Sequence, residues 1–163
     1  MKYKIFIVVK YLLSKLLGKI SILNIEKKIY RDHFIGGSWQ YYQRQGINYI
    51  KEKYDLQKSA DITIRDGGGD CEDIHRMFVI DYWFKGIPAY LVSIFGVTVK
   101  GDKFGHAFCI AKDRDNYIGV DYSDMNICSN VMAVIEHIRF KYHLSAIKGI
   151  VYQDINWKII KEI

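Results

Sequence analysis

The chain has 163 residues, 50% of them hydrophobic and 15% aromatic, with a formal net charge of +6. That length suits one domain able to bury a core without metal or disulfide staples, and the apolar content excludes an intrinsically disordered chain. Lysines and arginines are spread along the sequence and form no stripe interleaved with stacking aromatics, so no nucleic-acid partner is expected, although such a surface steers toward acidic partners.

The N-terminal stretch MKYKIFIVVKYLLSKLLGKISIL has the positive start of a signal peptide. Lys10, Lys15 and Lys19 interrupt it, however, and leave Ile5 to Val9 as the longest apolar run, too short for a signal core or a membrane span. A cytoplasmic location is expected. On a helical wheel Val9, Leu12, Leu13, Leu16, Leu17 and Ile20 share one face, with Ser14, Lys15, Gly18 and Lys19 opposite, so residues 1–23 read as a basic amphipathic helix. Its apolar face is expected to pack on the chain's own body; peripheral contact with a membrane or a partner protein through residues 9–20 is the alternative.

Asn24 is placed to cap a second helix running to about Phe34, and Gly36-Gly37 breaks the pattern. Ser38 is placed to cap a third helix carrying Trp39, Tyr42, Ile47, Tyr49, Ile50 and Tyr54. Residues 55–66 read as an irregular connection, which makes 24–65 a mainly helical subregion.

The run DGGGDCEDIHRMFVIDYWFKG, residues 66–86, is unlike anything before it. Three glycines imply a sharp turn or a close backbone approach, including that of a substrate, next to Cys71. From Cys71 to Phe84 there is no Gly or Pro, and Glu72, Asp73 and Arg76 fall in the first turns, so a largely buried helix begins at Cys71. A thiol at a helix N-terminus is favoured as thiolate by the free N–H groups and the helix dipole; an inert packed cysteine is the alternative. Asp70, Glu72 and Asp73 read as helix-start acids acting on the dipole, with a held cation as the alternative. The other cysteines, Cys109 and Cys128, complete no disulfide framework, and a reducing compartment is the simpler inference.

Gly86-Ile87-Pro88 ends the helix. AYLVSIFGVTVK, HAFCIAK and YIGVDYS then read as strands joined by the turns GDKFG and DRDN, an antiparallel arrangement. A helix over 129–142 starting at Ser129 follows, then a last strand in AIKGIVYQDI and a short polar end. The fold class is α+β in a single domain over 1–163, with core motifs in 66–124 and a C-terminal helix and strand in 125–163.

Alternation puts His106 and Phe108 on one strand face and Ala107 and Cys109 on the other. With the hairpin turn at 113–116, the start of His106's strand faces the end of the next, so His106 and Asp121 are expected to be neighbours. That is the relation between a catalytic imidazole and the acid that fixes its tautomer, and Cys71 completes a nucleophile set.

GGGDCED, GHAF and GVDYSD together resemble the three motifs of the transglutaminase-like superfamily, and GDCED resembles its bacterial cysteine proteinases in particular. The resemblance covers roughly residues 66–124. It implies a papain-like core in which the Cys71 helix packs on a sheet carrying His106 and Asp121. Cys71 then matches the nucleophile, His106 the general base and acid, and Asp121 the orienting residue, with no cofactor and a protein or peptide substrate. The Cys71 N–H is the expected first oxyanion donor, with Gln40 or Trp39 as candidates for a second. Gly69 with Asp70, Glu72 and Asp73 forms the helix-start motif.

His75, one turn after Cys71, stands where the family has a small residue. It reads as a residue supporting the site or the core; a zinc set of Cys71, His75, His106 and Asp121 is the alternative. Three functions follow from the same residues: a cysteine peptidase or amidase, a transglutaminase or other acyl transferase with an amine acceptor, and a non-catalytic binding module that keeps the fold. Richness in Lys, Ile and Tyr suggests an AT-rich genome, and so a phage or bacterial protein, with virion association open.

Overall fold

The computed structural model describes residues 2–33, 38–52 and 56–163. In chain order it contains helices α1 (Lys2–Leu16), α2 (Leu23–His33) and α3 (Trp39–Arg44), strand β1 (Asn48–Tyr49), α4 (Ala60–Arg65), β2 (Gly68–Gly69) and α5 (Cys71–Phe84). There follow β3 (Ala89–Thr98), β4 (Lys103–Asp113), β5 (Asn116–Asp121), β6 (Asp124–Cys128), α6 (Val131–Lys141), β7 (Leu144–Gln153) and β8 (Ile159–Glu162). The class is α+β, helices first and sheet after.

The sheet runs β6-β5-β4-β3-β7-β8, every pair antiparallel. Alternation along its strands gives each face its own core. Leu91, Ala107, Cys109, Ala111 and Val120 pack against Ile74, Met77 and Phe78 of α5, while Val92, Ile94, Phe108, Ile110 and Ile150 pack against Val134, Ile135 and Ile138 of α6. The sheet is thus a slab between two helices, and α5, buried from Glu72 to Asp81, is its central partner.

The glycine run serves the chain's own backbone. β2 pairs in parallel with β1, Asn48 opposite Gly68. Gly68 has φ +146, and a Cβ there would overlap the Asn48 carbonyl oxygen, so only glycine fits. The close approach read as room for substrate is taken by β1. At the other end of α5, Gly86 at φ +73 follows the last turn and lets Ile87 N–H reach the Tyr82 carbonyl at 3.0 Å.

A buried ion pair ties the helical half to the sheet. Arg76 on α5 donates to Glu26 on α2 through Nε at 3.1 Å and Nη2 at 2.9 Å, and to the carbonyls of Asp154 at 3.3 Å and Ile155 at 2.5 Å. The Trp157 ring lies 4.2 Å from the guanidinium carbon.

Several elements differ from the sequence reading. α2 begins one residue before Asn24, so Asn24 is inside the helix and not its cap. Phe34, Gly36, Gly37 and Tyr54 lie outside the described residues. Ser38 does cap α3, accepting from Tyr41 N–H at 3.3 Å, but the helix ends at Arg44 because Gly46, at φ +83, turns the chain into β1. The expected irregular connection contains α4. Its first N–H, that of Ala60, is capped by Glu26 at 2.7 Å, a partner 34 residues away. α6 is capped by Asn130, which accepts from Ala133 N–H at 2.9 Å, and not by Ser129. β6 and β8 are additional edge strands; β8 replaces the expected polar end.

α1 inverts the expectation. Ile7, Lys10 and Ser14 face inward, whereas Val9, Leu12, Leu13, Leu16 and Leu17 are between 48% and 82% exposed. The polar side packs: Lys10 pairs with Glu72 of α5, and Ser14 Oγ donates within α1 to the Lys10 carbonyl. Among the described residues no helix is long and apolar enough to cross a membrane.

Candidate active site

Cys71 is the first residue of α5, after the N-cap Asp70. Asp70 and Asp73 form a capping box, in which Asp73 Oδ2 accepts from Asp70 N–H at 3.3 Å and Asp73 Oδ1 from Lys58 N–H at 2.7 Å. A Cβ on Gly69 would overlap the Asp73 side chain, so the glycine and the box are one device. Burial, and then the neighbouring Asp70, hold the Asp73 carboxyl well above the ordinary carboxylate range.

Glu72 is more than a dipole partner. It is buried, receives the Lys10 ammonium of α1, and accepts the Cys71 thiol through Oε2 at 3.4 Å. A bare carboxylate beside a thiol would oppose its ionisation; Lys10 offsets that charge. In the second acid group, Lys58 lies on Glu52 and 3.9 Å from Asp73 Oδ2. Among the described residues two groups of ligand-type atoms approach closely, Asp70-Cys71-Glu72 and Glu52-Asp70-Asp73, and a lysine supplies positive charge beside each.

The sheet contributes the other two candidates. The last pair of β4 with β5 is Cys109 with Val120; continuing that register sets Phe108 opposite Asp121, and His106, two residues along the same strand face, reaches Asp121 diagonally, its Nε2–H donating to Asp121 Oδ1 at 2.8 Å. Asp121 is fully buried and also accepts from Lys141 Nζ at 2.6 Å and from Tyr142 O–H at 2.8 Å, both on Oδ2. Burial opposes its ionisation, but the His106 hydrogen bond and charge, with Lys141, win and hold its carboxyl well below the ordinary range. An ionised acid on Nε2 fixes the tautomer and leaves the Nδ1 lone pair on the ring edge away from Asp121. Lys141 and Tyr142, at the end of α6, were not found by sequence reasoning, since only the sheet's topology brings that helix end to β5.

His106 and Cys71 line the same cleft, about 290 Å³ in volume, with Phe6, Lys10, Gln57 and Ser93 also on its walls. Gln57 was another omission. It is buried, its Nε2 donates to Gln153 Oε1 at 3.1 Å, and its Oε1 has no partner among the described residues. An amide bound by one hydrogen bond keeps donor capacity to spare. Of the expected second oxyanion donors, Gln40 is exposed and lines a different cavity, whereas Trp39 packs edge-on at 5.2 Å against Tyr122, whose ring lies 4.6 Å from that of His75 and 6.2 Å from that of His106.

His75 is buried, with both ring nitrogens engaged. Nδ1–H donates to the Cys71 carbonyl at 2.6 Å and Nε2 accepts from Tyr122 N–H at 3.0 Å. The zinc alternative fails on this point, since no lone pair is left for a metal. The 3.5 Å approach of Nε2 to Asp121 Oδ1 is for the same reason no ion pair. His75 instead clamps the start of α5 to the turn after Asp121, where Tyr122 holds φ +57. Burial first, and His106 second, push the His75 imidazole down to about 3. Unfolded, it titrates at about 6.5, so below that pH the unfolded chain binds a proton that the folded chain refuses, and stability falls as pH drops toward the folded value. Acidification from pH 7 to 5 is expected to cost about 2 kcal/mol through this residue. Urea unfolding at both pH values checks it: His75→Asn should lose that component of the pH dependence, and an unchanged dependence would remove His75 from the account.

No family model matches this chain, and no curated protein matches it. Among solved structures, it is similar to a protein from Cytophaga hutchinsonii that is provisionally named a cysteine protease, with a TM-score of 0.42 and 20% identity, over 61% of this chain and 37% of that one. The alignment therefore spans little more than a third of that protein's chain.

Proposed function

We propose that the chain is a cysteine hydrolase with a papain-like, transglutaminase-like core, cleaving amide bonds through a thioester. The observation that carries this reading is that His106, bonded at 2.8 Å to the buried Asp121, lines the same cleft as Cys71 at its helix start.

In this reading His106 Nδ1 takes the Cys71 proton, and the thiolate attacks the carbonyl carbon. The charge developing on oxygen is met by the Cys71 N–H and by the spare donor of Gln57. The C–N bond breaks as the imidazolium returns its proton to the leaving amine, and Asp121 stabilises that imidazolium. Water, deprotonated by His106, then adds to the thioester and regenerates the thiol. An amine in place of water would make the same residues an acyl transferase.

A short peptide p-nitrophenyl ester tests the reading. The expected result is an acyl adduct, seen by mass spectrometry on the peptide that contains Cys71, absent from Cys71→Ala and discharged by water; methylamine as competitor reports the acceptor preference. An adduct on Cys128, or none, would sink the proposal.

A further inference from the structure

The outer side of α1 has no counterpart in the proposed chemistry. At 3.6 residues per turn, Ile5, Val8, Val9, Leu12 and Leu16 form one exposed apolar stripe along it. Lys4 and Lys15 run along one edge of the stripe and Lys2 along the other, all three exposed. Residues 1–25 hold no aspartate or glutamate; of their five lysines, Lys10 is buried on Glu72 and Lys19 lies 3.6 Å from Asp66, which leaves Lys2, Lys4 and Lys15 for the exposed edges. Ile22 and Ile25, also exposed, add apolar surface just beyond α1.

We infer that α1 is a docking helix for an anionic lipid bilayer, lying in the plane of the membrane. The apolar stripe enters the headgroup boundary and the lysine edges meet lipid phosphate. The charge pattern selects this occupant over a second copy of the chain. A two-fold pairing through the stripe would set lysine edges against each other with no acid in this segment to receive them. The inner side of α1, through Phe6, Ile7 and Lys10, lines the cleft that holds Cys71, so docking by the outer stripe leaves that wall in place.

The test is flotation of the whole protein with vesicles of phosphatidylglycerol and phosphatidylcholine, compared with phosphatidylcholine alone. Binding to the anionic vesicles is expected, weakened by salt and reduced at least about tenfold by Leu12→Asp with Leu16→Asp, and likewise by Lys2→Glu with Lys15→Glu. These side chains are exposed, so circular dichroism should be unchanged. Absence of binding to anionic vesicles at low salt would overturn the inference, as would binding that ignores the leucine variants or the lipid charge. A concentration-dependent dimer in sedimentation that Leu16→Asp dissolves, without vesicle binding, would assign the stripe to a second copy instead.

Discussion

His106→Ala is expected to lower kcat/KM for amide hydrolysis by roughly 10³-fold or more while changing stability by less than about 1 kcal/mol. The two halves of that expectation come from different contacts. Removal of the imidazole takes away the proton acceptor for Cys71 and the donor for the leaving amine. Asp121 is not orphaned, because Lys141 and Tyr142 still donate to it at 2.6 and 2.8 Å. Asp121→Asn separates the roles further. It keeps the shape but removes the charge that fixes the Nε2–H tautomer, and it leaves the Lys141 ammonium facing an amide, so activity and stability should fall together. Tyr142→Phe removes one of three donors to Asp121 and should cost much less in rate. Steady-state kinetics alongside urea unfolding for the three variants checks the pattern; full activity in His106→Ala would end the catalytic reading.

Arg76→Leu is expected to destabilise the fold by roughly 3–5 kcal/mol, the largest single stability effect foreseen. The guanidinium is fully buried and joins α2, α5 and the connection after β7 through two bonds to Glu26 and two to backbone carbonyls. Without it the Glu26 carboxylate keeps, among the described residues, only the Ala60 N–H, inside the core. The penalty comes chiefly from an unpaired buried charge, so Glu26→Gln with Arg76→Leu should recover part of the loss. Equilibrium urea unfolding of the two singles and the double reads the coupling. Simple additivity of the singles would mean that the pair is not the unit that matters.

The residues most legible in the sequence were those whose chemistry and local structure coincide. The α5 start, with its glycines and acids, could be read locally because capping and turn formation are short-range. The meeting of His106 and Asp121 followed from the hairpin alone, since a turn at residues 113–116 determines which ends of β4 and β5 face each other. What escaped depends on distant partners. α4 owes its cap to Glu26, Gln57 enters the cleft wall from a segment without regular structure, and Lys141 and Tyr142 arrive at Asp121 from the far side of the sheet. α1 was misjudged for another reason. Amphipathic periodicity gives two faces but not which one packs, and here the inward face is settled by Glu72, 62 residues from Lys10.

The most direct test of the central claim is alkylation of the native protein by limiting iodoacetamide across pH 4 to 9, read cysteine by cysteine by mass spectrometry, in wild type and His106→Ala. Cys109 is fully buried, its thiol pushed up by burial, and should stay unlabelled until unfolding; the half-buried Cys128 serves as the reference. The account predicts that Cys71 reacts at a pH well below that at which Cys128 does, and that His106→Ala removes this advantage. A Cys71 no more reactive than Cys128, or one indifferent to His106, would contradict it.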